Sequence, residues 1–182
     1  MSDDSDAGIS ARRVHADEWQ LVRSLRLEST ADPDAAIAFL ESHEEVLARA
    51  DDFWQARTAD AAQSETVAQL IAEVGGGAVG SLSVRIRASG QKDPLGRYID
   101  DRRADVVGVW VRPSSRGTGA IDALLAAAAE FVTAVGLRRM QLDVHRDNLR
   151  AQAAYRRSGF EPTGETFAGP IGPEIVMARD LP

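Results

Sequence analysis

Over residues 80–87, Leu82, Val84 and Ile86 alternate with Ser83, Arg85 and Arg87, a period of two that predicts a β-strand with one buried face. A strand over 66–74 precedes it, and the Gly75-Gly76-Gly77-Ala78 turn joins the two as a hairpin. A β-branched run over 106–111 predicts a further strand. Another follows over 138–144, where Met140, Leu142 and Val144 alternate with Arg139, Gln141 and Asp143. Elsewhere the spacing is helical. Leu124, Leu125, Ala128, Phe131, Val132 and Val135 share one face, with Gly136 as the stop, and Ala151, Ala154, Tyr155 and Ser158 share a face of a shorter helix capped by Asp147-Asn148 and closed by Gly159-Phe160.

The first third reads as mostly helical. A short strand over 9–14 leads to Asp17 as a helix cap and to Trp19, Leu21, Val22 and Leu25 as the stripe of a helix ending near Thr30. Asp32-Pro33 predicts a restart, continued by Ile37, Leu40 and Leu47, with a third short piece around Phe53, Trp54 and Arg57. Residues 88–103 hold turn residues and mixed charge without periodicity, and are expected to be an exposed loop. Two last strands, over 160–167 and 174–179, flank Gly169-Pro170-Ile171-Gly172-Pro173. The order β, helices, β, β, β, α, β, α, β, β predicts an α/β fold, with residues 1–8 a disordered tail and 9–182 one domain.

Composition narrows the chemistry. The absence of cysteine in 182 residues removes disulfides, thiolate metal sites and a cysteine acyl-enzyme, and His15, His43 and His145 lack metal-ligand spacing, so no metal is expected. The acidic start is unlike a signal peptide and no apolar run is long enough to span a bilayer, which predicts a cytoplasmic protein. A formal charge of −7 argues against nucleic-acid and membrane partners and tilts weakly toward a cationic, amine-bearing substrate.

Residues 109–125 carry the strongest local signal. A strand passes through Pro113, two serines and Arg116-Gly117-Thr118-Gly119 into a helix, whose first N–H groups lack intrahelical partners and suit phosphate. Gly117 and Gly119 permit turn conformations and close approach, and Arg116 adds a bidentate cation. An ordinary strand-to-helix turn accounts for the same residues, and neither a Walker loop nor a dinucleotide fingerprint is present.

Context favours the phosphate cradle. Val-x-Val-x-Pro-x-x-Arg-Gly-x-Gly at 109–119, Leu-x-Val-x-x-x-Asn at 142–148 and Ala-x-x-x-Tyr-x-x-x-Gly-Phe at 151–160 together resemble the GCN5-related N-acetyltransferase (GNAT) family. The resemblance implies a central mixed (α+β) sheet flanked by helices and splayed beside a bulge in its central strand, where acetyl-coenzyme A enters. It implies pantetheine along Val109, Trp110 and Val111, the pyrophosphate on backbone groups of Arg116, Gly117, Thr118, Gly119 and Ala120, a cofactor contact at Asn148, and Tyr155 near the sulfur as catalytic acid. A backbone N–H near Trp110 or Val111 would stabilise the oxyanion. Asp105 and Glu28 are the candidate bases, with a water relay as the alternative. The implied activity is direct acetyl transfer to a primary amine on a small molecule or a peptide, and because dimers are frequent in the family a homodimer is the assembly it implies. The alternative is a non-catalytic acyl-coenzyme A binding module. Ile121, where the family commonly has glycine or alanine, either faces the phosphates or points into the core, and Asp122 repels a phosphate if it faces the loop.

Overall fold

A computed structural model describes residues 8–182; the expected disordered tail, apart from Gly8, lies outside the described residues. Seven strands form one sheet: β1 (Ser10–Arg13), β2 (Val67–Val74), β3 (Gly77–Arg87), β4 (Arg103–Val111), β5 (Arg139–His145), β6 (Glu161–Gly169) and β7 (Gly172–Asp180). Their spatial order is β1-β2-β3-β4-β5-β7-β6, antiparallel except where β4 meets β5, so the sheet is mixed. The hairpin turn is tighter than its four-residue signal. Gly75 and Gly76 take φ of 57° and 80°, the two-residue turn whose twist suits a hairpin, and Gly77 already opens β3.

Helices cover both faces. The alternating apolar positions of β3 and β5, with Val106, Phe160 and Met177, bury one face against α4 (Ala120–Ala134) and the Tyr155 side of α5 (Leu149–Arg157). On the other face Val22 and Leu25 of α1 (Trp19–Thr30), Val46 of α2 (His43–Ala48) and Trp54 of α3 (Asp51–Gln63) pack over Ile71 and Trp110. The polar alternates of the central strands therefore meet a second layer of helices rather than bulk water.

Two local expectations change and a third is refined. Helix α1 is preceded by Glu18 rather than capped by Asp17, because Glu18 accepts two bonds from Arg12, at 2.7 and 2.9 Å, and one from the His15 amide at 2.7 Å. Asp32-Pro33 starts no long helix; only a 3₁₀ turn, Ala35–Ile37, follows, since the Asp32 carboxylate is drawn toward β4. Residues 88–103 are mostly exposed, as expected, but the segment is anchored to the body of the protein. Lys92 bridges Tyr98, Ile99 is buried, and Asp93, also buried, accepts amides of Leu95 and Arg97 at 2.9 Å and pairs with Arg97 and Arg103.

The Arg12 guanidinium, with the His15 amide, holds the Glu18 carboxyl down at about 2. A depressed folded value contributes stability above the ordinary carboxyl value, 4.5, and that contribution is lost as pH falls through the folded one. Thermal unfolding of Glu18→Gln should therefore lie below wild type at pH 6, and the gap should close toward pH 2. A gap independent of pH would show that this pair does not couple β1 to α1 electrostatically.

Candidate active site

The site originates in a failure of strand pairing. β4 and β5 are in register only at Ala104–Met140 and Asp105–Gln141, then diverge. The β5-facing backbone edge of β4 from Val106 onward thus has no strand partner. On its other edge β4 pairs with β3 through Ser83–Val107 and then Ser81–Trp110, so two residues, Gly108 and Val109, stand opposite one. This is a β-bulge, and Gly108 at φ 65° supplies the left-handed conformation it requires. The bulge lies just before Trp110 and Val111, where a backbone donor was expected.

A cleft of about 700 Å³ passes through the split. Ile121, Leu142, Val144, Ala151, Ala154 and Tyr155 line it from the α4–α5 side. From the other side it is lined by α1, α3, the loop after α1 and the polar faces of β3, β4, β5 and β7. Two reactants can thus approach one point from opposite faces of the sheet.

At one mouth the chain turns from β4 into α4. Gly117 and Gly119 have φ of 78° and 98°, and the amides of Gly117, Thr118, Gly119 and Ala120 have no backbone partner among the described residues. Converging unpaired N–H groups at a helix N-terminus form an anion nest. Neither Ile121 nor Asp122 blocks it. Asp122 turns away, accepting from Ser158 Oγ at 2.6 Å, and Ile121 packs against the core with one flank on the cleft. The Arg116 side chain is not part of the nest. It folds back to donate to the Val111 carbonyl at 3.0 Å and to pair with Asp32.

The comparisons converge on one family. The model of the acetyltransferase (GNAT) family matches residues 35–160. The chain belongs to the GNAT family. An aminoglycoside N(6′)-acetyltransferase type 1 of Stenotrophomonas maltophilia is 29% identical over 149 residues, 79% of this chain and 92% of that protein. Two solved structures share the fold. A GNAT acetyltransferase from Streptococcus pneumoniae has a TM-score of 0.72 at 18% identity, covering 96% of this chain and 100% of that one. The PaiA N-acetyltransferase of Thermoplasma acidophilum, solved with coenzyme A, has a TM-score of 0.73 at 16% identity, over 95% and 99%.

In this GNAT domain the expected site residues separate into those the cleft gathers and those it leaves out. Val109, Trp110, Val111, Arg116, Gly117, Asn148 and Tyr155 line it. Asn148 caps α5, its side-chain oxygen accepting the Ala151 amide at 3.2 Å, which leaves its NH₂ for a ligand. Tyr155 is buried against Phe160, ring centroids 5.9 Å apart, and burial pushes its phenol well above the usual range, so it is a neutral O–H donor at physiological pH. Glu28 lies outside the lining and forms a two-bond pair with Arg112, at 2.9 and 3.0 Å. Asp105 lines the cleft but is held between Arg103, at 2.9 Å, and Arg87, at 3.4 Å.

Two carboxyls that the sequence reading passed over occupy the cleft instead. Asp143 and Glu174 line it, and each has one oxygen, Oδ1 and Oε1, buried without a hydrogen-bond partner. Burial raises the Asp143 carboxyl, against the pull of Arg97; burial and then Asp143 raise Glu174. His145 stands opposite Glu174 in the β5–β7 register, and a Cβ at Gly172 would collide with its ring. The signal for Asp143 was present in the alternation of β5, where it reads as solvent-facing. Across the mouth, Asp34 of the loop after α1 pairs with Arg150 of α5 at 2.7 Å.

Proposed function

We propose that residues 9–182 form a single catalytic domain that transfers acetyl from acetyl-coenzyme A directly to a primary amine within one ternary complex. The observation that carries this is the split between β4 and β5, which opens a cleft to both faces of the sheet beside an anion nest. Acetyl-coenzyme A would supply the acetyl group as an activated thioester. The unpaired edge of β4 over Val109, Trp110 and Val111 would receive the pantetheine amides, and the amides of Gly117, Thr118, Gly119 and Ala120 the diphosphate; the Arg116 amide, also expected there, donates to the Pro113 carbonyl at 3.3 Å. The Asn148 NH₂ adds a side-chain donor. These groups fit a linear ligand that alternates amides with a terminal anion, and the absence of cysteine agrees with transfer that needs no acyl-enzyme.

The protein's own residues then have separable tasks. The bulged backbone at Gly108 and Val109 supplies donors for a developing oxyanion, the interaction that gains most in strength at the transition state. Tyr155 gives its proton to the leaving sulfur. Asp143 and Glu174, whose carboxyls burial raises, are better matched to take a proton from an ammonium than Glu28, both of whose oxygens are bonded to Arg112; Asp105, like them, has one oxygen without a hydrogen bond but sits between Arg103 and Arg87. A general base close to the operating pH is worth roughly 10²–10⁴ in rate.

Thiol release from acetyl-coenzyme A across an amine panel tests the activity, and saturable coenzyme A binding without turnover on any amine would leave the binding module in its place. With an active amine, wild-type kcat/KM should fall on the acid side as the Asp143–Glu174 pair is protonated. Asp143→Asn should lower it by about 10²-fold and displace that limb. Superimposable pH profiles for wild type, Asp143→Asn and Glu174→Gln would remove both carboxyls from the mechanism.

A further inference from the structure

One end of the cleft is polar in a way that acetyl transfer does not use. The alternation that buries Leu82, Val84 and Ile86 puts Ser81, Ser83 and Arg85 on the opposite face of β3, with Gln69 in register with Ser83 on β2. The space between that face and helices α1 and α3 is part of the cleft, lined by Arg26, Trp54, Arg57, Gln69, Ser81 and Ser83.

Arg57 is the central group. No ion pair or hydrogen bond engages it among the described residues; its charged neighbours are Arg85, Arg26 and Arg49 and one anion, Glu41. Glu41 is already shared between Arg26, at 3.4 Å, and Arg49, at 3.0 Å. Burial, then repulsion from Arg85 and Arg26, pushes the Arg57 guanidinium down to about 10, so the folded protein holds a cation where a cation is disfavoured. Trp54, 1% exposed, lines the same space with its Nε1 donor unpartnered. A buried indole N–H without an acceptor is uncommon, and Trp54 lies one helical turn from Arg57 on α3, so the same end of the cleft offers a second donor. The serine hydroxyls add neutral donors.

We infer that the acceptor carries a carboxylate in addition to its amine, held by Arg57 with Trp54 Nε1, while the amine lies toward the Asp143–Glu174 side of β4. This rests on the reading of the cleft as an amine-acceptor site. Arg57 is the unpaired guanidinium that lines this end of the cleft, and with neutral donors around it the site matches the planar fork of a carboxylate. The substrate class is therefore a zwitterion, an amino acid or short peptide with a free C-terminus. A polycation without a carboxylate would leave Arg57 unpaired and repelled.

The test compares twenty N-acetyl amino acids with the matching N-acetyl amino acid amides as product-like probes, by calorimetry on protein saturated with coenzyme A. At least one acid should bind ten times more tightly than its amide. Arg57→Gln should abolish that preference, weakening the acid by about 10–100-fold, as expected for hydrogen bonds to a charged group. Arg57→Lys should restore part of it. Trp54→Phe, which removes one N–H and keeps the ring volume nearly constant, should weaken the acid alone. Stabilisation of Arg57→Gln by coenzyme A reports that the variant is folded. Equal binding of acids and amides, no binding by any acid, or a preference that survives Arg57→Gln and Trp54→Phe would each overturn the inference. Failure of thiol release with every amine would count against acetyl transfer and leave this comparison intact.

Discussion

Tyr155→Phe is expected to lower kcat by roughly 10²–10³-fold while the dissociation constant for coenzyme A stays within about twofold. The substitution removes one oxygen from a side chain that is buried, packed on Phe160 and bordering the cleft, so packing changes little. Burial keeps the phenol protonated far beyond neutrality, which a donor to a leaving thiolate needs and which a residue acting as a base would lack. Steady-state turnover and calorimetric coenzyme A binding separate the two possibilities: wild-type kcat across the pH range would reduce Tyr155 to a packing residue joining α5 to the sheet.

The second large effect concerns Asp32, which the sequence presented as a helix cap. Its side chain is 4% exposed and accepts from the Asp34 amide at 3.0 Å, Trp110 Nε1 at 3.1 Å and Arg116. Burial alone would raise its carboxyl, but these three donors more than offset that and hold it below the usual range. Asp32 thereby ties the loop after α1 to the end of β4 and to the nest before α4. Asp32→Ala strands a guanidinium and an indole N–H and should cost about 3 kcal/mol, as when one partner of a buried pair is removed. Coenzyme A affinity should fall at least tenfold in Asp32→Ala and in Arg116→Ala, with the double variant little worse than either, because both release the same loop. Severe loss in Arg116→Ala with none in Asp32→Ala would instead mean that Arg116 reaches the phosphate directly.

The contrast between Arg116 and Gly117 shows what a linear pattern can convey. The nest was legible because glycine spacing before a helix constrains the backbone locally, and φ at Gly117 and Gly119 follows from it. The pairing of the Arg116 side chain was not legible in the same way, because its partner, Asp32, lies 84 positions away. The polar alternates of β3 and β5 were misread for a related reason. Period two reports that one face is apolar, not whether the other meets water or a second layer, and here Ser83, Asp105, His145 and Glu174 are buried under helices and loops. Strand identities followed from the alternation, and the mixed sheet from the family motifs. The insertion of β7 between β5 and β6 had no local signal, because hairpin partners in either order have the same sequence.

The interrupted pairing of β4 and β5 also divides labour along the chain. Everything proposed to select the acceptor's carboxylate, Arg57 and Trp54 included, comes before residue 112, whereas Tyr155 and Asn148 come after residue 138. Only two register pairs join the sheet between these portions, and the ion pairs Asp32–Arg116, Asp34–Arg150 and Arg97–Asp143 bridge them, so it is the residues outside these pairs, Arg57 and Trp54 among them, that can vary with the least effect on the other side. An architecture divided in this way can diversify its acceptors by drift in the first portion while the proton donor and the nest keep their geometry. A chimera exchanging residues up to the end of β3 is the natural unit in which to look for altered acceptor choice.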